Sequence, residues 1–147
     1  MGTARNSTPR QRIAAECARH GTRALVAACV ALLEARPGDV SDDMITVLGG
    51  NPARYVLDGG EGGRAGYWPR VWAARGLLHE WDPVATAAVI GATRDEAWRV
   101  REMAAKVIAR HKVGDALDAV AALRGDEVAR VRASASRAVA VLTAAGA

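Results

Sequence analysis

The segment Asp95-Glu96-Ala97-Trp98-Arg99-Val100-Arg101-Glu102-Met103-Ala104-Ala105-Lys106-Val107 returns 31 residues later as Asp126-Glu127-Val128-Ala129-Arg130-Val131-Arg132-Ala133-Ser134-Ala135-Ser136-Arg137-Ala138. Stepping back by 29 carries Val100 onto Val71, in a weaker third copy, Arg70-Val71-Trp72-Ala73-Ala74-Arg75-Gly76-Leu77-Leu78. A period near 30 with room for two helices per unit restricts the chain to a stack of small helical units, each burying its apolar face against the next. Within the copies, Val100, Ala104, Val107 and Ile108 share one helix face, as do Val131, Ala135 and Ala138. Small side chains there let neighbouring helices approach closely.

Composition agrees with an all-α reading. The chain has 147 residues, of which 33 are Ala and none is Phe, so Ala, Val, Leu and Ile must fill its core. That favours packed helices over a sheet, which needs β-branched and aromatic residues. The length suits one domain, 1–147. No apolar run approaches the roughly 20 residues that span a bilayer. The polar start, Met1 to Arg12, lacks the apolar stretch of a secretion signal, and the expectation is a cytoplasmic chain with no membrane contact. Cys17 and Cys29 lack Cys-x-x-Cys spacing, and His20, His79 and His111 are scattered, so reduced thiols and no metal site are expected. No cofactor motif is present either: Gly59-Gly60-Glu61-Gly62-Gly63 lacks the Gly-Lys-Ser/Thr of a phosphate loop and follows no strand.

Helix boundary signals recur along the chain. Thr8-Pro9-Arg10-Gln11 is a capping box for a helix over 9–20 ending at Gly21, and Thr22 is expected to cap a second over 23–36, before Pro37-Gly38. Ser41 caps a short helix ending at Gly49-Gly50, and Asn51-Pro52 opens another. The Gly-rich stretch 58–66 reads as a flexible loop. Helices then follow over 68–80, 83–91 (capped by Asp82-Pro83), from the capping box Thr93-Arg94-Asp95-Glu96 to about 111, from Gly114-Asp115 to 124, and over 127–143. The total is about nine helices, antiparallel to their neighbours because the connections are short.

The repeated unit Asp-x-x-x-x-Val-Arg-x-x-Ala-Ala, preceded by a short apolar helix, resembles the HEAT repeat family, particularly its compact bacterial form. The likeness is clearest over 83–142, extends to 51–80, and is only helical in character over 1–50, which reads as an N-terminal cap or divergent repeat. The resemblance implies a right-handed α-solenoid of stacked helix pairs with units at 51–82, 83–111 and 115–143. Ala85 to Ile90 and Leu117 to Leu123 fall in outer helices; those starting near Trp68, Glu96 and Glu127 face the concave side. It further implies that Asp95 with Arg101, and Asp126 with Arg132, form a charge ladder tying one repeat to the next. The first copy departs at both positions, with Gly66 and Trp72 in place of the Asp and Arg.

Charge and aromatic residues point to a binding surface. The net charge is +4, and 18 of the 20 basic residues are Arg, the residue suited to planar contacts with carboxylate and phosphate. Residues 37–66 form an acidic break between two basic parts. Arg70, Arg99 and Arg130 precede the Val of each copy, Lys106 and Arg137 lie further along two of them, and stacking would set these off-core positions in a row. The bland alternative is a solvated face with Glu80, Glu96, Glu102 and Glu127 nearby. All four Trp lie between Trp68 and Trp98; Trp68 and Trp72 share a helix face and serve either as core or as a partner anchor. The expectation is a non-catalytic adaptor that takes an acidic protein partner through Arg70, Arg99, Arg130, Lys106, Arg137, Trp68 and Trp72. The alternative is sequence-independent nucleic-acid binding by the same cations. A remote one is a HEAT-like glycosylase acting on alkylated bases, with Trp81-Asp82 near Arg70 and Arg99. No nucleophile-and-base constellation accompanies it. Ala133, Ala140 and Ala144 leave the last helix with a mild apolar patch, compatible with a monomer or a homodimer.

Overall fold

A computed structural model describes residues 7–146, so Met1 to Asn6, half of the polar start, lie outside it. The described residues contain no strand. They form helices α1 (Pro9–His20), α2 (Thr22–Leu33), α3 (Asp42–Gly49), α4 (Pro52–Leu57), α5 (Tyr67–His79), α6 (Thr86–Ala92), α7 (Trp98–His111), α8 (Leu117–Leu123) and α9 (Ala129–Gly146). Single 3-10 segments lie at Pro37–Asp39, Gly60–Ala65, Pro83–Ala85 and Gly114–Ala116. The chain divides after Asp82 into two compact units.

In the first unit α5 is the central element, packed against α1, α2 and α3. Its Val71, Trp72, Ala73, Ala74 and Leu77 are buried on successive sides of the helix, together with Ile13, Leu25, Leu32, Ile45 and Leu48 from the surrounding helices. Each large aliphatic side chain fully buried in this way contributes about 1.5–3 kcal/mol. Close approach needs Gly76: a Cβ there would lie 2.9 Å from Leu48 Cδ2 and 3.0 Å from Cys29 Sγ.

Local chemistry sets most of the helix ends. The Thr8 hydroxyl accepts the Gln11 amide hydrogen at 3.1 Å and Gln11 Oε1 accepts that of Thr8 at 2.9 Å, closing a capping box. Gly21, at φ +93°, ends α1 and also serves as the N-cap of α2, so Thr22 is the first residue of α2 rather than its cap. α2 stops at Leu33, three residues before the expected end, where Ala35 turns left-handed at φ +60° and the Arg36 amide returns to the Ala31 carbonyl at 2.8 Å. Ser41 caps α3 through the Met44 amide at 3.1 Å, with Asp42 and Asp43 in the first turn favoured by the helix dipole.

The Gly-rich stretch is folded into turns and tied down. Gly59, Gly62 and Gly63 all adopt positive φ, as does Glu61 at φ +51°. Arg64 reaches back to the carboxylate of Asp42 and the carbonyl of Val40, while Glu61 accepts from Trp68 Nε1 at 2.7 Å.

The second unit consists of the pairs α6/α7 and α8/α9, with α7 packed lengthwise on α9. Val100, Ala104, Val107, Ile108, Val131, Ala135 and Ala138 have no exposed area. The repeated Asp residues act alike at the entries to the long helices: Asp95 Oδ1 accepts the Ala97 amide hydrogen at 2.8 Å and Asp126 Oδ1 that of Val128 at 2.9 Å. The expected capping box at Thr93 is thereby corrected. Thr93 is buried, its hydroxyl donates to the Ile90 carbonyl at 2.6 Å, and α7 begins only at Trp98.

Candidate functional site

The two copies in the second unit are joined by a nearly buried ion pair. Arg101 Nε donates to Asp126 Oδ2 at 2.7 Å and its Nη2 to Oδ1 at 3.2 Å, with side-chain exposures of 12% and 7%. The Arg101 guanidinium holds the Asp126 carboxyl below the usual carboxylate range; burial opposes this and the Val128 N–H assists. Within each copy the arginine meets a carbonyl: Arg101 Nη1 donates to Asp95 O and Arg132 Nη1 to Asp126 O, both at 2.8 Å. The carboxylate link thus runs from Arg101 of one copy to Asp126 of the next.

The same two copies carry a basic and aromatic cluster. Trp98 opens α7, and its half-buried ring carries the Arg99 guanidinium at 4.5 Å and that of Arg130, one copy later, at 5.4 Å. A cation over an indole face gains about 0.5–1 kcal/mol at exposed sites and is held in orientation. Arg130 Nε also donates to Glu102 Oε2 at 2.9 Å, and Lys106 Nζ lies 3.8 Å from the same oxygen. Glu102 is buried while Arg130 is 67% exposed, so one recessed carboxylate sits beneath two outward cations. Lys106 is seven residues from Arg99 and the exposed Arg137 seven from Arg130, two turns along the same helix faces.

The remaining expected residues belong to the first unit. Arg70 is half-buried and donates to the Gly66 carbonyl at 3.1 Å, fastening the Gly-rich turn. Trp68 is half-buried, tied to Glu61 and stacked on Trp72 at 6.3 Å between ring centroids. Trp72 requires correction as a partner anchor: it is 4% exposed and packs so tightly on α3 that a Cβ on Gly49 would come within 2.5 Å of its ring. Trp81 is half-buried and Asp82 exposed.

Sequence reading passed over Arg12 and Arg75. Arg12 Nε donates to the Val47 carbonyl at 2.9 Å and Arg75 Nη2 to that of Leu48 at 2.7 Å, so both arginines cap the C-terminal end of α3. Burial lowers the pKa of both guanidinium groups, and Arg12 adds repulsion on Arg75. The available signal was Arg75's place in the apolar run Val71 to Leu78, where a helix buried on several sides must find a use for a cation.

Among the described residues no group of three His, Cys, Asp or Glu is placed to hold a metal ion, and no helix is long and apolar enough to cross a membrane. Both cysteines are free thiols, and full burial pushes the Cys29 thiol up to about 12. No protein-family model, curated protein or solved structure matches the chain.

Proposed function

We propose that the protein is a non-catalytic binding module of the HEAT-like solenoid type, and that it takes an acidic protein partner on the face formed by Trp98, Arg99, Arg130, Lys106 and Arg137. The observation that carries this reading is the bracketing of Trp98 by two arginines from successive copies, at 4.5 and 5.4 Å. An aromatic face that holds two guanidinium groups in place lowers the ordering cost of binding carboxylates. Glu102 is recessed and shared between Arg130 and Lys106, so the face keeps an excess of positive charge. The solenoid reading draws on the stacking of α7 on α9 and on the Arg101–Asp126 link between copies.

The test is affinity capture of the tagged chain from a bacterial lysate, with and without nuclease, beside the Arg99→Glu/Arg130→Glu variant. Proteins recovered with and without nuclease, and lost in the variant while it remains folded, are the expected outcome. Capture that survives the double reversal overturns the assignment of this face. Recovery that vanishes with nuclease replaces the protein partner by nucleic acid bound through the same cations, with affinity falling steeply as salt rises.

A further inference from the structure

The first unit contains a cleft of about 380 Å³ beside Arg75, walled by Tyr55, Trp68, Trp72 and Pro52, with Glu61 at one edge. Small-ligand sites begin at about 300 Å³ and combine apolar or aromatic walls with a few fixed polar groups. Three features make this cleft selective. The Trp68 and Trp72 rings stack at 25°, and the Trp68 indole N–H is committed to Glu61. Tyr55 is 62% exposed, a large aromatic at the lip, and its ring rests against Gly60, where any Cβ would clash with it. Arg75 has one hydrogen bond, to a carbonyl, and no carboxylate within ion-pair distance among the described residues, while its Nε is buried without a partner.

The charge does not balance locally. Arg12 and Arg75 bring two full positive charges to the end of α3, whose dipole offers about half an elementary charge. Glu61, whose carboxylate accepts from Trp68 and Tyr67 at 2.7 and 3.3 Å, offsets no more than one of them. A half-buried guanidinium without an ion-pair partner gains strongly from an anion at its remaining N–H groups. The carboxylate of Glu61 at the rim disfavours a second negative charge on the occupant.

We infer that this cleft binds a small planar aromatic monocarboxylate, with its ring against Trp68 and Tyr55 and its carboxylate on the guanidinium of Arg75. The site is separate from the face proposed above and stands without it. The probe is indole-3-carboxylate, titrated calorimetrically into the full chain beside its neutral analogue indole. The expected result is saturable binding of indole-3-carboxylate that is about tenfold or more weaker for indole and for Arg75→Gln, as loss of a charge-assisted pair requires. Because Arg75 also caps α3, Tyr55→Ala serves as a second variant at an exposed position, and it too is expected to weaken binding several-fold. Absence of saturable heat with indole-3-carboxylate at about 5 mM, where even millimolar affinity registers, overturns the inference. Equal binding of indole, or unchanged affinity in folded Arg75→Gln or Tyr55→Ala, overturns it as well.

Discussion

Removing the Asp126 carboxylate tests the link between the two copies most directly. In Asp126→Ala, Arg101 loses both contacts at 2.7 and 3.2 Å while remaining 12% exposed, and the Val128 amide loses its acceptor. Breaking a buried ion pair costs about 3–5 kcal/mol because the surviving charge is stranded. Arg101 keeps its donation to the carbonyls of Asp95 at 2.8 Å and Glu96 at 3.2 Å, which places the loss at the lower end, about 3 kcal/mol. The lost amide acceptor adds about 1 kcal/mol, as for a helix cap. Asp126→Asn keeps an acceptor and removes only the charge, so about half of that loss is expected. Urea unfolding of the full chain, followed by circular dichroism, reads both values. The carboxyl of Asp126 is depressed in the folded state, so its contribution is complete above the unfolded value of about 4 and fades as pH falls through the folded one. The gap between the native chain and Asp126→Asn must therefore narrow below about pH 4. A cost for Asp126→Ala under about 1 kcal/mol, or a coupling with Arg101→Met under about 0.5 kcal/mol in a double-mutant cycle, refutes the reasoning. A gap that does not change with pH refutes it too.

Two further outcomes are expected. Gly49→Ala forces a methyl group to within 2.5 Å of the Trp72 ring, which is buried and cannot swing into solvent, so stability falls by about 1–3 kcal/mol; an unchanged denaturation midpoint contradicts this. Ellman's reagent at about pH 8 should titrate the half-buried Cys17 in the native chain and leave Cys29, whose thiol is pushed up to about 12, until denaturant is added; two fast thiols in the native chain contradict this.

Helix ends were legible wherever one side chain decides them. Thr8 with Gln11, Ser41 and Gly21 act as their residue types dictate, because a cap is a contact within a few residues. Thr93 misleads because Thr and Asp both suit a helix entry; burial sends the Thr93 hydroxyl to Ile90, and Asp95 instead turns the chain ahead of α7 by accepting from the Ala97 amide, a competition that only tertiary packing settles. The contacts of the Gly-rich stretch are hidden for a similar reason. Its glycines supply positive φ, as expected, but Arg64 and Glu61 tie it down through partners at Asp42 and Trp68. The sequence marked Arg99 and Arg130 as equivalent positions, whereas their sharing of one indole depends on where Trp98 falls at the mouth of α7. The place of Arg75 in an apolar run marks it, but nothing within its own helix identifies the carbonyl of Leu48 as its acceptor.

The methyl-rich seam between α7 and α9 also governs the chemistry outside it. Helix axes stand about 8–10 Å apart according to the side chains between them, and Val100, Ala104, Val131 and Ala135, all without exposed area, are among those that set the spacing here. The distance between the guanidinium groups of Arg99 and Arg130 is therefore a dimension inherited from alanines that no partner touches. The seam acts as a spacer gauge for the charges above it: one added methylene inside would rescale the surface pattern while leaving every exposed residue unchanged.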